Sequence, residues 1–434
     1  MRTGERQFEA VGEPPERQPL FTRDFLGVCL TTFLFFTAFL FFFPTLPFYI
    51  VRLGGQESEI GLLIGASSLT SLVVRPLVGR LVDQWGRRPL LSAGLAMLAL
   101  CSVLYNFATA IPMLFALRLL TGASLATYIS SASTMAADVS PPARRGEAMG
   151  YFGVANNLAF IIGPALGFYL VDSGRFAGPN GAIRDAVPGF DRVDTGEFNF
   201  AVMFLAAAAL AGLGFLVSRF LGESRPAGAA PPALGRNLLG GLFHRSAAYP
   251  AVINFTMSIG FAALVTFLPL YARDLGMENV GTFFIVYGAA VLVSRVALSR
   301  LSDRYGRGVL IVPGLALLAA ALVGLSLAGE PWQLYPVAAC YGLGFGTAQP
   351  ALMAFAVDRV PSQVRGMAMS TFTLGNDLGL SIGATFLGVV LDATDYGAVF
   401  LVTAGTVASG IAIFLAGQVL RPSRSAPAGT PADR

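Results

Sequence analysis

Titratable side chains are rare in the apolar parts of this chain, so the few that occur there are the first candidates for chemistry. Asp377 is the only acidic residue near the middle of an apolar run, eleven residues after Gly366, or about 16 Å along a helix. A carboxyl group at that depth can take up a proton or pair with a cation. The single histidine, His244, lies outside these runs. Asp377 is therefore the predicted proton or cation site; the alternative is a structural hydrogen bond, to Asn376 or Arg75.

Three arginines also lie inside apolar runs. Arg118 stands about six residues from the end of its run, and such a charge costs about 2.5–3.5 kcal/mol on insertion scales, so we expect it to face a cavity or a partner. It would then take part in proton coupling or match the polarity of the substrate. The alternative is that its long side chain reaches the membrane interface. Arg75 and Arg295 each precede a loop aspartate by eight residues. They are expected either to bind an anionic group or to brace neighbouring helices.

Two charged loops in the chain are copies of each other. The first reads GRLVDQWGRRP at 79–89, and SRLSDRYGRGV follows 220 residues later at 299–309. At the same offset, Asp377 is matched by Asn157, which is polar but cannot titrate. A repeat of this length indicates two related halves. Identical residues recur at this offset along both halves: Arg75 with Arg295, Asp83 with Asp303, Asp138 with Asp358, Asn156 with Asn376, and Gly163 with Gly383.

The composition indicates which elements carry these residues. The chain is 55% hydrophobic and 12% charged, with a mean hydropathy of +0.67, which is too apolar for a water-soluble protein of 434 residues. Runs of about 20 apolar residues cross a membrane as helices. We predict an all-α membrane protein whose twelve transmembrane helices form two pseudo-symmetric six-helix bundles. The predicted spans are 25–51, 59–82, 89–108, 112–138, 146–171, 198–220, 247–272, 281–302, 308–328, 332–358, 366–391 and 396–420.

The remaining segments and the arginines complete the predicted topology. Of the 29 basic residues, all arginine, we assign 21 to the side of the N-terminus and five to the other side. This bias predicts that both termini lie in the cytoplasm and that the protein sits in the cell (inner) membrane. A polar insertion within 172–197 is either a surface loop or a cap over the outer mouth. The predicted units are a disordered tail at 1–24, a first bundle at 25–220, a linker at 221–246, a second bundle at 247–420 and a disordered tail at 421–434.

Several functional classes lack the residues they need. Cys29, Cys101 and Cys340 are isolated within apolar runs, so neither a disulfide framework nor a metal site is indicated. The arginines are spread over short loops rather than gathered into a patch for nucleic acid. The glycines of YGLGFG at 341–346 follow no predicted strand, so a nucleotide loop is discarded. We expect no enzyme, cofactor or metal; the expected partners of this monomer are a small-molecule substrate, protons and the lipid bilayer.

The first charged loop resembles a known signature. GRLVDQWGRRP matches the loop pattern G-x-L-x-D-R-x-G-R-R-x of the major facilitator superfamily at every specified position except Gln84, which stands in place of the first loop arginine. The loop lies after the second predicted span, and the second half carries a weaker copy. This resemblance covers residues 25 to about 420 and implies the major facilitator fold.

Two further motifs resemble those of one branch of that superfamily. Arg118 and Gly122 in span 4 are similar to its proton-antiporter motif. Gly163, Pro164 and Gly167 in span 5 are similar to the antiporter motif G-P-x-x-G-G, with a phenylalanine in place of the last glycine. The branch that these motifs imply consists of proton-coupled exporters of drugs or metabolites.

The charged loops are predicted to form a gate at the cytoplasmic face. We expect Asp83, Arg87 and Arg88 to latch the two halves together there; the alternative is that the arginines only set the topology. A second group of charged residues either extends this cluster or is no more than solvated helix ends. Its members are Asp303, Arg307, Asp138 and Asp358.

The cavity is expected to be lined by spans 1, 4, 7 and 10. Phenylalanines occur all round span 1, so some must contact lipid, but one helical face can line an apolar pocket. The polar candidates on the other three spans would orient a substrate. The predicted lining residues are Phe35, Phe39, Tyr128, Asn254, Tyr341 and Gln349.

These features together predict a secondary transporter that works by alternating access. The favoured function is proton-coupled efflux of a small amphipathic drug or metabolite. The alternatives are an importer or uniporter of a small polar nutrient, a lipid flippase, and a receptor that does not transport. The exporter-type glycine motif favours efflux over an importer or uniporter. A titratable Asp377 favours a transporter over a receptor that does not transport.

Overall fold

The computed structural model of the chain describes residues 19–141, 144–172, 199–224, 245–277, 279–305, 307–360 and 364–420. The predicted tails and linker lie largely outside these ranges, and so does the insertion after residue 172. The described residues form thirteen α-helices. They are α1 Arg23–Arg52, α2 Glu57–Trp85, α3 Arg87–Leu104, α4 Ile111–Asp138, α5 Arg145–Asp172, α6 Phe200–Arg219, α7 Arg245–Thr266, α8 Leu268–Asp274, α9 Gly281–Tyr305, α10 Gly308–Leu327, α11 Leu334–Asp358, α12 Arg365–Ala393 and α13 Tyr396–Leu420.

All of these helices except α8 have at least 18 residues, and they correspond to the twelve predicted spans. Ten of them are long and apolar enough to cross a membrane. Of the other two, α11 has 25 residues, and α9 is apolar over Gly281–Arg295, the stretch in which its side chains are described. The all-α architecture with twelve long helices is confirmed.

The predicted seventh span, 247–272, is two helices rather than one. The chain leaves α7 at Thr266, and α8 begins at Leu268, one residue before Pro269. Proline has no N–H to donate to the carbonyl four residues earlier, so the helix is interrupted at this point. Helical hydrogen bonds continue through the junction, since Phe267 N donates to Ala263 O and Tyr271 N donates to Phe267 O, both at 3.0 Å.

The helices pack in two bundles that repeat the same arrangement. In the first bundle α1 packs on α5 and α6, α2 on α4, and α3 on α4 and α6. In the second bundle α7 packs on α12 and α13, α9 on α11, and α10 on α11 and α13. The sequence repeat is therefore a structural repeat. Two helix pairs form the main contacts between the bundles, α2 with α12 and α5 with α9.

Small residues let these two helix pairs approach closely. A Cβ added at Gly65 of α2 would lie 2.6 Å from the carbonyl oxygen of Ser381 in α12, and Gly61 is pressed against the α12 carbonyl of Ala384. On the other interface, a Cβ at Gly288 of α9 would lie 2.5 Å from the side chain of Ile161. Close backbone contact of this kind is how helices associate where no hydrophobic effect drives them together.

The bundles meet at one end and separate at the other. Residues Leu34–Ile50 of α1 and Thr256–Thr266 of α7 are buried on every side, whereas the first turns of both helices have accessible faces. At the closed end Ser58 N donates to Asp392 Oδ1 across the bundles at 3.2 Å. At the arginine-rich end of α2, a Cβ added at Gly79 would meet nothing within 4 Å. The molecule is thus open toward the side that the arginines predict to be cytoplasmic.

Candidate functional site

An ion pair joins the two bundles inside the membrane-spanning part. Arg75 Nη2 of α2 lies 2.8 Å from Asp377 Oδ2 of α12, and the two side chains are only 19% and 10% exposed. Arg75 also donates to Ser71 Oγ of its own helix at 3.4 Å. Asp377 thus has a cationic partner from the opposite bundle. A contact between α2 (span 2) and α12 (span 11) is what we expect if Arg75 braces these two helices.

Neighbouring polar contacts fix the helix that carries Asp377. Ser258 Oγ of α7 donates to Asn376 Oδ1 at 3.0 Å. Asn254 Nδ2, also of α7, donates to the carbonyl oxygen of Phe372 at 3.1 Å. Both bonds tie α12 to its own bundle. Asn254, predicted to line the cavity, therefore holds two helices together, and Asp377 is presented to Arg75 from a rigid support.

The other interface between the bundles carries the symmetric position. By the sequence repeat, Arg295 of α9 and Asn157 of α5 take the places of Arg75 and Asp377. Gly288 lies two helical turns before Arg295 and so on the same face, and it contacts α5 four residues after Asn157. The face of α9 that carries Arg295 is therefore the face that meets α5.

Arg295 has no acidic partner there. It forms no ion pair with any residue in the described part of the chain, and its Nε is buried without a hydrogen-bond partner. Asn156 Oδ1 on the facing helix is also buried without a partner. The repeat has thus kept the arginine in both halves but the carboxylate in only one.

Arg118 is enclosed within the first bundle. It is 0% exposed, so the alternative that it reaches the membrane interface is wrong. Its Nε donates to Leu63 O at 3.1 Å, and its Nη2 donates to Ser67 Oγ at 2.7 Å, both on α2. Its Nη1 is buried without a partner among the described residues. Arg118 therefore binds a carbonyl oxygen and a hydroxyl oxygen of α2 rather than a carboxylate.

The charged loop is held within the first bundle. Arg87 Nε lies 2.9 Å from Asp138 Oδ2, and Arg87 Nη2 lies 3.7 Å from Asp83 Oδ1. Asp83 is 43% exposed. Within the described part of the chain, no ion pair or hydrogen bond of Asp83, Arg87 or Asp138 reaches the second bundle. A latch that closes the halves at this end thus stays a prediction, for a conformation other than the open one.

The second loop repeats part of this arrangement. Arg307 Nε lies 3.0 Å from Asp358 Oδ2, the counterpart of the contact between Arg87 and Asp138. The side chain of Asp303 lies outside the described residues. Asp138 and Asp358 are therefore ion-pair partners of loop arginines rather than only solvated helix ends.

Sequence reasoning did not single out Glu223, which follows α6 and binds the first loop. Its two carboxylate oxygens accept hydrogen bonds from the backbone N–H groups of Arg87 and Arg88, at 2.9 and 3.2 Å. Gly86, with φ of +100°, turns the chain so that these N–H groups face the carboxylate. Arg88 also donates to Arg219 O. The sequence signal was an acidic residue just after the last apolar residue of span 6.

The aromatic residues predicted on spans 1 and 4 form a buried stack. The rings of Phe35 and Tyr128 are 4.0 Å apart and nearly parallel. Tyr128 Oη lies 3.0 Å from Thr31 Oγ1 and 3.0 Å from Thr32 Oγ1. Phe35 and Phe39 are 0% and 4% exposed. These two phenylalanines therefore do not contact lipid, and in this conformation they pack inside the bundle rather than face an open cavity.

A chain of aromatic rings crosses from one bundle to the other; we name it the aromatic bridge. Phe36 of α1 is 6.2 Å from Phe160 of α5, and Phe160 is 6.2 Å from Phe261 of α7. Phe261 in turn stacks on Phe345 of α11 at 5.3 Å. Phe160 and Phe345 are only partly buried. The sequence did not predict this group, because the phenylalanines follow no single helical face.

The remaining predicted residues lie close to this region. Tyr341 Oη of α11 is buried without a hydrogen-bond partner among the described residues, and its ring lies 6.1 Å from that of Tyr287 of α9. Gln349 lies half-buried two turns further along α11. Tyr341 and Gln349 therefore lie on α11, which packs against α9, the helix that carries Arg295.

The glycine motif of span 5 forms a close helix contact. A Cβ at Gly163 would lie 2.8 Å from Leu40 Cβ, and one at Gly167 would lie 2.7 Å from Phe41 Cα. Pro164 lies between these glycines inside α5. The motif thus allows α5 to pack directly on the backbone of α1.

Comparisons with known proteins agree with this architecture. The sequence profile described as Major Facilitator Superfamily matches residues 28–384 and 280–433. The chain is 23% identical over 392 residues to the quinolone resistance protein NorA of Staphylococcus aureus (strain COL), covering 86% of this chain and 94% of NorA.

Two solved structures are similar in fold. One is a bacterial homologue of the human lysosomal transporter Spinster in an inward-facing, unoccupied conformation, with a TM-score of 0.72, 16% identity, and coverage of 95% of this chain and 100% of that one. The other is the nucleoside transporter NupG, with a TM-score of 0.70, 15% identity, and coverage of 91% and 99%. The profile spans far more than half of the sequence, and the folds agree over almost its full length. The chain belongs to the Major Facilitator Superfamily: it is a multi-pass secondary membrane transporter and not an enzyme.

Proposed function

We propose that this transporter exports a small amphipathic drug or metabolite in exchange for protons, and that Asp377 carries the proton. The observation that supports this most directly is the ion pair of Asp377 with Arg75, which links the two bundles at 2.8 Å. The likeness to NorA, a quinolone resistance protein, adds support for efflux. The arginine distribution supports an orientation with both termini in the cytoplasm.

The ion pair offers a simple means of coupling. An alternating-access transporter moves one bundle against the other around a central site. While Asp377 is ionised, its attraction to Arg75 favours the arrangement of α2 and α12 seen here. Protonation removes that attraction, so the relative stability of the two arrangements changes with the proton occupancy of one carboxyl group.

Arg118 has a supporting part in this proposal. By donating to the Leu63 carbonyl oxygen and the Ser67 hydroxyl of α2, it fixes the outer half of the helix whose inner half carries Arg75. Movement of α2 against α12 therefore also involves the first bundle's core. Asn157, which occupies the position symmetric to Asp377, cannot take up a proton, and this confines proton coupling to one interface.

The proposal is tested with the purified protein in liposomes that contain a pH-sensitive dye. An imposed pH gradient should drive accumulation of an amphipathic probe by the wild type, with matching proton movement. Asp377→Asn should bind the probe yet lose the effect of the gradient. The matched control is Asp395→Asn, which removes the same charge at the surface, where an amide oxygen can still accept the hydrogen bond from Ala398 N.

Each alternative has its own result in this assay. Gradient-driven transport that survives in Asp377→Asn would remove the coupling role of that residue. Probe movement without any proton movement in the wild type would indicate a uniporter. Movement of labelled lipid between leaflets, without transport of soluble probes, would indicate a flippase.

A further inference from the structure

We propose that Arg295 holds the negatively charged group of the substrate, so that the transported compound is an amphipathic organic anion with a flat apolar body. This inference rests on the proposed function in one respect, namely that the space between the bundles is the transport site. The feature that carries it is the missing carboxylate opposite Arg295. The described structure has an arginine at this repeat position in each half, Arg75 and Arg295. Of these two, only Arg75 is paired with a carboxylate.

The two interfaces show what Arg295 lacks. On the α2–α12 side, the arginine lies 2.8 Å from a carboxylate that the protein itself provides. On the α5–α9 side, the same position of the repeat carries Asn157, whose amide is neutral. The Nε atoms of both arginines are buried without a hydrogen-bond partner, so the interfaces differ in the carboxylate that Arg75 has and Arg295 lacks. A carboxylate brought in by a ligand would complete the second site in the way that Asp377 completes the first.

The physical chemistry favours an anion at this place. A guanidinium group removed from water is unfavourable unless it is paired, and its planar fork binds carboxylates through two parallel hydrogen bonds. A cationic substrate finds no free carboxylate here, since Asp377 is already paired with Arg75.

Arg118 is the other buried arginine without a carboxylate, but it is a poorer candidate. It is 0% exposed, and α2 occupies its Nε and Nη2. Arg295 is only partly enclosed and lies on the side of the molecule where the bundles separate. A ligand that enters from the open end therefore reaches Arg295 without breaking the first bundle.

Aromatic side chains surround the path from Arg295 toward the closed end. Phe160 lies three residues after Asn157 on α5 and belongs to the aromatic bridge. Tyr287 lies eight residues before Arg295 on α9, and its ring is 6.3 Å from that of Phe345. Residues at these spacings share a helix face. The site thus offers a cation at one end and partly buried rings beyond it, which suits an aryl or other flat apolar body.

The test measures equilibrium binding by the full-length protein in detergent, with no gradient, so it does not depend on proton coupling. Three probes share one apolar body and differ in charge: naphthoate, naphthamide and naphthylmethylamine. The wild type should bind naphthoate most tightly. Arg295→Gln should weaken naphthoate binding about 10- to 100-fold, since it removes a hydrogen-bonded charge, and should leave naphthamide within about twofold.

Asn157→Asp provides the second and sharper variant. It supplies the carboxylate that the repeat lacks, so Arg295 becomes paired by the protein and naphthoate should be excluded although the arginine is intact. The control is Gln56→Glu, which adds the same charge at the exposed start of α2 and keeps an oxygen acceptor for the helix cap; it should bind as the wild type does.

Three results would overturn the inference. They are a wild type that binds none of the probes or prefers the amine, naphthoate binding that Arg295→Gln leaves unchanged, and naphthoate binding that persists in Asn157→Asp. If naphthoate binding follows the expected pattern while the liposome assay detects no proton coupling, the proposed exchange mechanism fails and the anion site stands. The two proposals therefore fail separately.

Discussion

Removing one partner of the Arg75–Asp377 pair should harm the protein more than removing both. In Arg75→Gln, the Asp377 carboxylate loses a guanidinium 2.8 Å away and remains 10% exposed. Breaking a buried pair in this way costs about 3–5 kcal/mol, because a charge is left out of water and uncompensated. The bare attraction at this distance is about 6 kcal/mol at an effective dielectric constant of 20. Since desolvation of both charges offsets part of it, we expect a coupling free energy of about 2–3 kcal/mol.

The measurement is a double-mutant cycle on the free energy of unfolding. Wild type, Arg75→Gln, Asp377→Asn and the double variant are unfolded by SDS titration in mixed micelles at neutral pH. The double variant should recover a large part of the stability that Arg75→Gln loses. The loss in Arg75→Gln should also shrink as the pH falls, because a protonated Asp377 needs no cation. The control cycle uses Arg144 and Glu147, which lie equally close at 2.8 Å but are exposed, and should show far weaker coupling.

Additive effects would refute this reasoning. If the losses in the two single variants sum to that of the double variant within about 0.5 kcal/mol, the 2.8 Å contact does not stabilise the protein. Asp377 would then be a proton site independent of Arg75, and protonation could not act through the α2–α12 interface.

Three further predictions concern the closed end and the buried arginine. Gly61→Ala drives a methyl group into the α12 backbone and should lower the thermal midpoint in detergent, whereas Gly79→Ala, whose Cβ meets nothing within 4 Å, should not. Asp392→Ala removes the acceptor for an N–H group at the start of α2, a contact of about 1 kcal/mol, and should increase labelling of a cysteine introduced at the closed end. Ser67→Ala takes the 2.7 Å acceptor from Arg118 and should cost about 1–3 kcal/mol in an unfolding titration.

The architecture was predictable because it depends on patterns that are local or repeated. Apolar runs separated by charge gave the twelve long helices, and the offset of 220 residues between copies gave the two bundles. The break before α8 escaped the prediction, since the hydropathy of the run around Pro269 does not change. Proline at the same place in the first half, Pro47, lies inside an unbroken α1, so the sequence alone does not say which proline interrupts a helix.

The site was predictable in its members but not in its contacts. Rarity in apolar runs was enough to select Asp377, Arg75 and Arg118. Their partners depend on long-range packing, since Asp377 lies 302 residues after Arg75 and the repeat pairs it with Asn157. Arg118 binds carbonyl oxygens, which every residue has and which therefore leave no sequence signature. Glu223 binds backbone N–H groups, which every residue except proline has, so the sequence shows an acidic residue after span 6 but not its partners.

The repeat explains why one residue change can separate two roles. Two identical halves would place an arginine and the same partner at both interfaces, and both interfaces would then respond to protons alike. With aspartate at 377 and asparagine at 157, this repeat position carries a group that can lose its charge at the α2–α12 interface and a neutral amide at the α5–α9 interface. The α5–α9 interface keeps a permanent cation instead. The proposed exchange needs one site whose charge changes with proton occupancy and another whose attraction for the cargo does not, and this asymmetry would provide both on a symmetric scaffold.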